Sequence, residues 1–250
     1  MTNEKVILIT GGSRGIGRAT ALLAATAGYD VCINYHQNRA AADEVVEKIR
    51  TTGGNAVAFQ ADVSVEQDVL RMFKSIDETF GSLTALVNNA GVLGKQARVT
   101  DMRAERLQRV FAINVIGSFL CAREAVQRMS TKNGGSGGAI VNVSSGAARH
   151  GAPNEYVDYA ASKGAIDTMT LGLSKEVGAE GIRVNAVRPG LIYTDIHAAG
   201  GEPGRVDRLS SGVPMQRGGQ PEEVARTILW LLSDEASYVT GALVDVTGGR

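Results

Sequence analysis

The chain is poor in the residues that build metal and disulfide sites. Cys32 and Cys121 are its only cysteines in 250 residues, too few for a disulfide framework or a four-thiolate zinc site. The three histidines, His36, His150 and His197, lie far apart and show no ligand spacing, so no metal is expected. Neither sign of charge prevails: 26 Lys+Arg face 26 Asp+Glu, which argues against a dedicated nucleic-acid binder. No apolar run reaches the roughly 18–20 residues that cross a bilayer. The opening Met1-Thr2-Asn3-Glu4-Lys5 runs into an apolar stretch too short for a signal peptide. These absences imply a reduced, cytoplasmic protein with neither nucleic acid nor membrane as partner. Proline is scarce, at five residues, and no Pro-rich linker, repeat or composition shift divides the chain.

What the chain has is apolar content and glycine. Hydrophobic residues make up 44%, enough for a sizeable core, and 31 glycines exceed the usual share of roughly 7%. Such an excess suggests many tight turns and close backbone approaches. Short Val/Ile/Leu runs at 6–9, 30–35, 56–60, 83–87, 139–143, 183–187 and 243–246 read as strands. Helical patterns at 15–28, 39–51, 65–80, 102–129, 154–177 and 221–232 separate them. Strands joined by helix-length crossovers pair in parallel, and right-handed crossovers put helices on both faces. The fold expected is α/β: a Rossmann-like, doubly wound, seven-stranded parallel sheet formed as one domain over 1–250. Residues 132–138 (KNGGSGG) read as a flexible loop. A mobile substrate loop is expected at about 195–215, rich in Gly, Ser and charge after a strand end.

Thr10-Gly11-Gly12-Ser13-Arg14-Gly15-Ile16-Gly17 follows the first strand and opens the first helix. That is the context of a dinucleotide-binding loop: glycines permit the turn and bring backbone N–H groups to a pyrophosphate. The helix N-terminus adds about half a positive charge. An NAD site usually offers a carboxylate to the ribose about 20 residues further on. Here the second strand ends Tyr35-His36-Gln37-Asn38-Arg39, without an acid. Arg14 and Arg39, with His36, suit a 2′-phosphate, which favours NADP(H) and leaves NAD(H) as the alternative.

Tyr159-Ala160-Ala161-Ser162-Lys163 lies in the helical pattern, where positions i and i+4 share a face. Lys163 sits on a stripe continued by Ile166, Thr170, Leu173 and Val177, where a bare ammonium is costly. A nearby cation favours the phenolate of a tyrosine, so Tyr159 reads as a general acid or base. The helix reads equally as amphipathic, with a lysine that snorkels to water. Tyr156 competes as the tyrosine, but Ala160 stands four residues after it. The strand at 139–143 ends in Ser144-Ser145, two hydroxyls where ligands bind in such sheets. Asn114 falls on a stripe with Leu107, Phe111, Ser118, Ala122 and Ala125, unfavourable for an amide without partners.

Together with Asn88-Asn89-Ala90-Gly91, Asp62-Val63 and Pro189-Gly190-Leu191-Ile192-Tyr193-Thr194, each at a strand end, these motifs resemble the short-chain dehydrogenase/reductase family from about Lys5 to Gly249. The resemblance implies hydride transfer between NADP(H) and a carbonyl or alcohol. It implies Tyr159 as proton donor or acceptor, and Lys163 as the residue that binds ribose and lowers the tyrosine pKa. It implies Ser145 as the hydroxyl that polarises the substrate oxygen, with Ser144 the other choice, and Asn114 as holder of a relay water. Gly11, Ser13, Arg14, Gly15, Ile16, Gly17, Tyr35, His36, Arg39, Asp62, Val63, Asn89, Ala90, Gly91, Pro189, Gly190, Ile192 and Thr194 would line the cofactor cleft beside Tyr159 and Lys163. A homotetramer is the usual assembly. The substrate could be a 3-oxoacyl carrier protein, a sugar of the glucose type or another small alcohol. Glu180 stands where carrier-protein reductases often have arginine, and relative to the family a one-residue insertion falls near 152–158. A non-catalytic dinucleotide-binding regulator is a reading from a different class, but such relatives usually lack the tyrosine or lysine. A purely structural or interaction module on the same scaffold would bind no cofactor.

Overall fold

The computed structural model describes residues 5–250; residues 1–4 of the opening segment read against a signal peptide lie outside the described residues. The apolar runs form β1 (Val6–Ile9), β2 (Asp30–Tyr35), β3 (Ala56–Gln60), β4 (Ala85–Asn88), β5 (Gly138–Val143), β6 (Ile182–Pro189) and β7 (Leu243–Val246). They make one sheet in the order β3-β2-β1-β4-β5-β6-β7, parallel throughout. This is the doubly wound architecture the sequence predicts. The strand order reverses between β1 and β4, and a crevice opens at the carboxyl ends of such a pair.

The helices in chain order are α1 (Gly15–Thr26), α2 (Arg39–Thr51), α3 (Glu66–Phe80), α4 (Ala104–Phe111), α5 (Gly117–Met129), α6 (Ala147–His150), α7 (Val157–Val177), α8 (Ile196–Ala199), α9 (Arg205–Ser210) and α10 (Pro221–Leu232). Alternation along β1 divides the core. Ile7 and Ile9 pack with α1, α2 and α10 residues on one face. Val6 and Leu8 pack with α3 and α5 residues on the other. Burying each such side chain contributes about 1.5–3 kcal/mol, so both helical layers are tied to the same strands.

Three expectations are corrected. The helix at 102–129 is not continuous: α4 runs into a π-helical turn at Ala112–Ile116 before α5. The wider turn changes the phase, so Val110, Asn114 and Ser118 face inward while Leu107 and Phe111 are each 37% exposed. The joined stretch Ala104–Met129 is long and apolar enough to cross a membrane by length and composition, but Cys121, Ala125 and Met129 belong to the core. The helix expected at 154–177 begins at Val157, because Ala152 and Asn154 hold positive φ values of 44° and 62°. Residues 132–138 are a tied turn, with Gly135 and Gly137 amides bonded to Ser130 and Met129 carbonyls at 2.9 and 2.8 Å. The 195–215 stretch carries α8 and α9.

Asn34, 2% exposed between Ile33 and Tyr35 in β2, anchors the first glycine loop. Its Oδ1 accepts from the Gly11 amide at 3.2 Å and its Nδ2 donates to the Ala61 carbonyl at 3.0 Å. Asn34→Ala leaves both groups buried and unpaired, and is expected to lower the unfolding free energy by about 2–3 kcal/mol. Urea unfolding checks this, and an unchanged midpoint would mean that the loop holds itself.

Candidate active site

The cleft begins with backbone geometry. Gly11 and Gly15 hold φ of 61° and 53°, conformations that favour glycine. A Cβ on Gly17 would strike the Gly11 carbonyl and lie 2.6 Å from Asn89 Nδ2, so α1 starts close against the loop. Its first turn has no acidic residue and its N-cap, Arg14, makes no side-chain cap bond. The loop is stapled to the end of β4. Thr10 Oγ1 accepts from the Asn89 and Ala90 amides at 2.9 and 3.0 Å, and Asn89 Nδ2 donates to the Thr10 and Gly11 carbonyls at 2.8 and 3.0 Å. Across the cleft, a Cβ on Gly15 would lie 3.2 Å from Thr194 Cγ2. A Cβ on Gly91 would lie 3.5 Å from Asn114 Oδ1 and 3.6 Å from Lys163 Nζ. The groove is thus kept open by absent side chains and lined by N–H groups without competing carboxylates, which fits a dinucleotide pyrophosphate. Ser13 is half-buried, and Ile16 packs on the core.

The remaining residues read as lining the cofactor cleft divide. Arg14, His36 and Arg39 are exposed at the cleft's outer end, and Arg39 lies 3.3 Å from Asp43 one turn on. His36 Nε2 is 3.5 Å from Asp62 Oδ2. Burial raises the Asp62 carboxyl pKa, but the Ser64 hydroxyl and amide, His36 and Arg109 together bring it below the ordinary range. Tyr35 is 5% exposed and packs in the core. The Val63 side chain is buried too, against Gly117, where a Cβ would meet Val63 Cγ2 at 2.8 Å. Neither side chain lies open on the cleft surface.

Tyr159 and Lys163 share one side of α7, with the lysine nitrogen 5.6 Å from the tyrosine ring centroid. The ammonium is buried, 4% exposed, and donates to the Val143 carbonyl at 2.7 Å. Burial pulls its pKa down to about 8, with Asp167 pushing the other way. Burial also raises the Tyr159 phenol above its ordinary value of 10.0, and the adjacent Ser145 hydroxyl offsets part of that rise. Desolvation outweighs the neighbouring hydroxyl at this phenol, and the lysine ammonium is bonded to a carbonyl at the end of β5. Of the two serines, Ser144 is 2% exposed and donates to the Lys163 carbonyl at 3.1 Å. Ser145 is the one beside Tyr159; its Oγ also accepts from the Ala147 amide at 3.1 Å.

Asn114 is fully buried in the π turn. It exchanges both bonds with the Val92 backbone, at 2.8 and 3.1 Å, and donates to Ser162 Oγ at 3.1 Å. Pro189 ends β6 and Gly190 follows it; a Cβ on Gly190 would lie 2.8 Å from Thr247 Cα. The Ile192 carbonyl meets His197 Nε2 at 3.0 Å and accepts from Thr194 Oγ1 at 3.4 Å. Sequence reasoning missed Thr10, Asn34, Asn142 and Ser162 as positioning residues. Asn34 and Asn142 carried a signal, being amides inside apolar strands. Among the described residues, no cluster of three His, Cys, Asp or Glu is placed to hold a metal ion.

Residues 11–250 match the family model described as enoyl-(acyl carrier protein) reductase. The chain is 64% identical to an uncharacterized oxidoreductase, YgfF, of Escherichia coli over 98% of this chain and 99% of that protein. It is 40% identical to glucose 1-dehydrogenase 2 of Bacillus subtilis over 98% and 94%. The crystal structure of a 3-ketoacyl-(acyl-carrier-protein) reductase from Brucella melitensis complexed with NADH superposes with a TM-score of 0.91 at 32% identity, covering 100% of this chain and 99% of that one. With its parallel sheet, glycine loop and paired tyrosine and lysine, the chain belongs to the short-chain dehydrogenase/reductase family and is an oxidoreductase acting on CH–OH and carbonyl groups with a nicotinamide dinucleotide.

Proposed function

We propose that this protein is a cytoplasmic, homotetrameric NADP(H)-dependent reductase and dehydrogenase of small carbonyl and alcohol substrates, with Tyr159 as the proton-transferring group. The observation that carries this reading is the contact of Ser145 with Tyr159, one turn from a buried Lys163 and beside the glycine cleft. The nicotinamide, when bound, supplies or accepts the hydride. Ser145 Oγ–H orients the substrate oxygen, and Tyr159 Oη delivers the proton to it. A phenol held above its ordinary range stays protonated at neutral pH, which suits the reduction direction. Lys163 and the Asn114–Ser162 pair fix the helix turn that carries Tyr159, and the lysine ammonium would hold the cofactor ribose. Tyr159→Phe is expected to fold and bind NADPH as before while losing at least about 1000-fold in kcat. Near-normal turnover in that variant would remove the assignment, whereas binding without turnover in the parent across a carbonyl panel would favour a regulator.

The cofactor preference rests on charge. No carboxylate ends β2, while the Arg14 and Arg39 cations lie exposed at the ribose end. Replacing both by alanine is expected to weaken NADPH at least about tenfold and to leave NADH nearly unchanged, a loss of about 1.4 kcal/mol or more in a fluorescence titration. Equal weakening of both nucleotides would argue against a 2′-phosphate site.

Carrier-protein reduction is the second reading, favoured by the Brucella relative. Local charge speaks against it: Glu180 holds Lys132 at 2.8 Å, and Arg128 is bound by Asp77 and Glu124, which leaves these cations paired for an acidic partner. The tetramer is supported by apolar side chains left exposed on the π turn, α5 and α7, namely Ile116, Phe119 and Leu171 at 52%, 52% and 40%. A clean monomer mass in solution would refute it.

Lys163 also gives the site a stability signature. Its pKa of about 8 against 10.5 unperturbed means that the buried charge costs about 3 kcal/mol. That cost is full below pH 8 and fades toward pH 10.5, because the unfolded chain binds the extra proton in that window and stability rises with pH. The stability of Lys163→Met relative to the parent is therefore expected to be most favourable near pH 7 and to decline between pH 8 and 10, while its activity is lost. Denaturant unfolding at several pH values checks the sign; a pH-independent difference would contradict a buried cation.

A further inference from the structure

The segment between β5 and α7 is built around a second tyrosine that the chemistry proposed above does not use. Tyr156 is 3% exposed. It packs with Ala147, Ala152, Ala160 and Leu93 in a cluster that includes Tyr159. Its place is set by the backbone before it. Ala152 adopts φ of 44°, an unfavourable region for alanine, and the Glu155 and Tyr156 amides fold back onto the Ala152 carbonyl at 3.3 and 3.0 Å.

From the opposite side α9 presses a cation on the ring. Arg205, 7% exposed, places its guanidinium 5.1 Å from the Tyr156 ring centroid. Glu155 accepts from it at 2.5 and 2.9 Å, and Glu202 at 3.1 Å. The end of α8 closes the same corner: a Cβ on Gly200 would lie 2.9 Å from Leu93 Cδ2 and 3.2 Å from Tyr156 Oη. The helices of the substrate loop therefore rest on this ring without room for a further methyl group. Any acyl chain running from a carbonyl at Tyr159 in this direction meets an aromatic wall held by an ion cluster centred on the buried Arg205.

We propose that Tyr156, held by Arg205, is the specificity-determining wall of the substrate pocket and restricts the enzyme to short carbonyl compounds. This rests on Tyr159 being the proton-transferring residue. A long acyl chain running that way has to displace the ring.

The test is the NADPH-dependent reduction of ethyl 3-oxo esters with acyl chains of four, six, eight and ten carbons. In the parent enzyme, kcat/KM is expected to fall at least about 30-fold from the shortest to the longest, within the range that pocket contacts with a few methylenes supply. Tyr156→Phe keeps this slope. Tyr156→Ala flattens it to within about threefold, through lower KM for the long esters. Arg205→Met shifts the profile in the same direction and Arg205→Lys does not. Should Tyr156→Ala fail to fold, Tyr156→Leu fills the cluster without the far edge of the ring and gives an intermediate slope. A parent enzyme indifferent to chain length, or a slope unchanged in the alanine or leucine variant, overturns the wall while leaving the proposed reaction intact. A parent that reduces none of the esters with NADPH or NADH overturns the wall together with the function on which it rests.

Discussion

The hydrogen bond from the Lys163 ammonium to the Val143 carbonyl, 2.7 Å long and sealed from solvent, locks α7 to the end of β5. Two neighbouring ties reinforce it. Asn142 Nδ2 donates to Thr170 Oγ1 at 2.9 Å, and Ser144 Oγ donates to the Lys163 carbonyl at 3.1 Å. Three cross-links between one strand and one helix set their register, and that register brings Tyr159 beside Ser145. The first tie is chemically unlike the others. Asparagine and serine hold their partners without a charge to desolvate, whereas an ammonium in the same place works against folding. A polar neutral residue would serve the packing better, and the cost of the charge supports the part proposed for Lys163 in the chemistry of the cleft.

What was legible in the sequence was local. Tyr159 and Lys163 meet because residues four apart share a helix face whatever surrounds them. The glycine loop was legible because positive φ and close approach leave few other residues able to occupy it. The π turn was not legible: the pattern over 102–129 fits a regular helix, and only packing of Asn114 onto the Val92 backbone shows why the turn widens. Two placements follow from strand period alone. Val31, Ile33 and Tyr35 alternate onto one face of β2, so the period of the strand puts Tyr35 in the core with them. The same alternation pairs Ser144 with Asn142 on the side that meets α7, and leaves Ser145 as the hydroxyl facing the tyrosine. The resemblance named Ser145, but the strand geometry alone was sufficient to choose it.

The two halves of the cleft are built by different physics. On the cofactor side, neutral amides and backbone N–H groups do the positioning, through Thr10, Asn34 and Asn89. The first turn of α1 carries no carboxylate, so a pyrophosphate at the glycine loop meets backbone dipoles with no negative charge in that turn to oppose it. On the substrate side, fixed charges are numerous but cancel close at hand. Arg106 is bound by Asp158, whose side chain is fully buried, and Arg205 and Arg208 by Glu155 and Glu202. Charges paired at such short range leave little field beyond the cluster. A neutral carbonyl compound loses far less hydration on entering that environment than a charged one does, whereas an acidic macromolecular substrate gains little from cations already paired. The asymmetry fits a site that takes its charged ligand along the glycine loop and its uncharged one under α8 and α9.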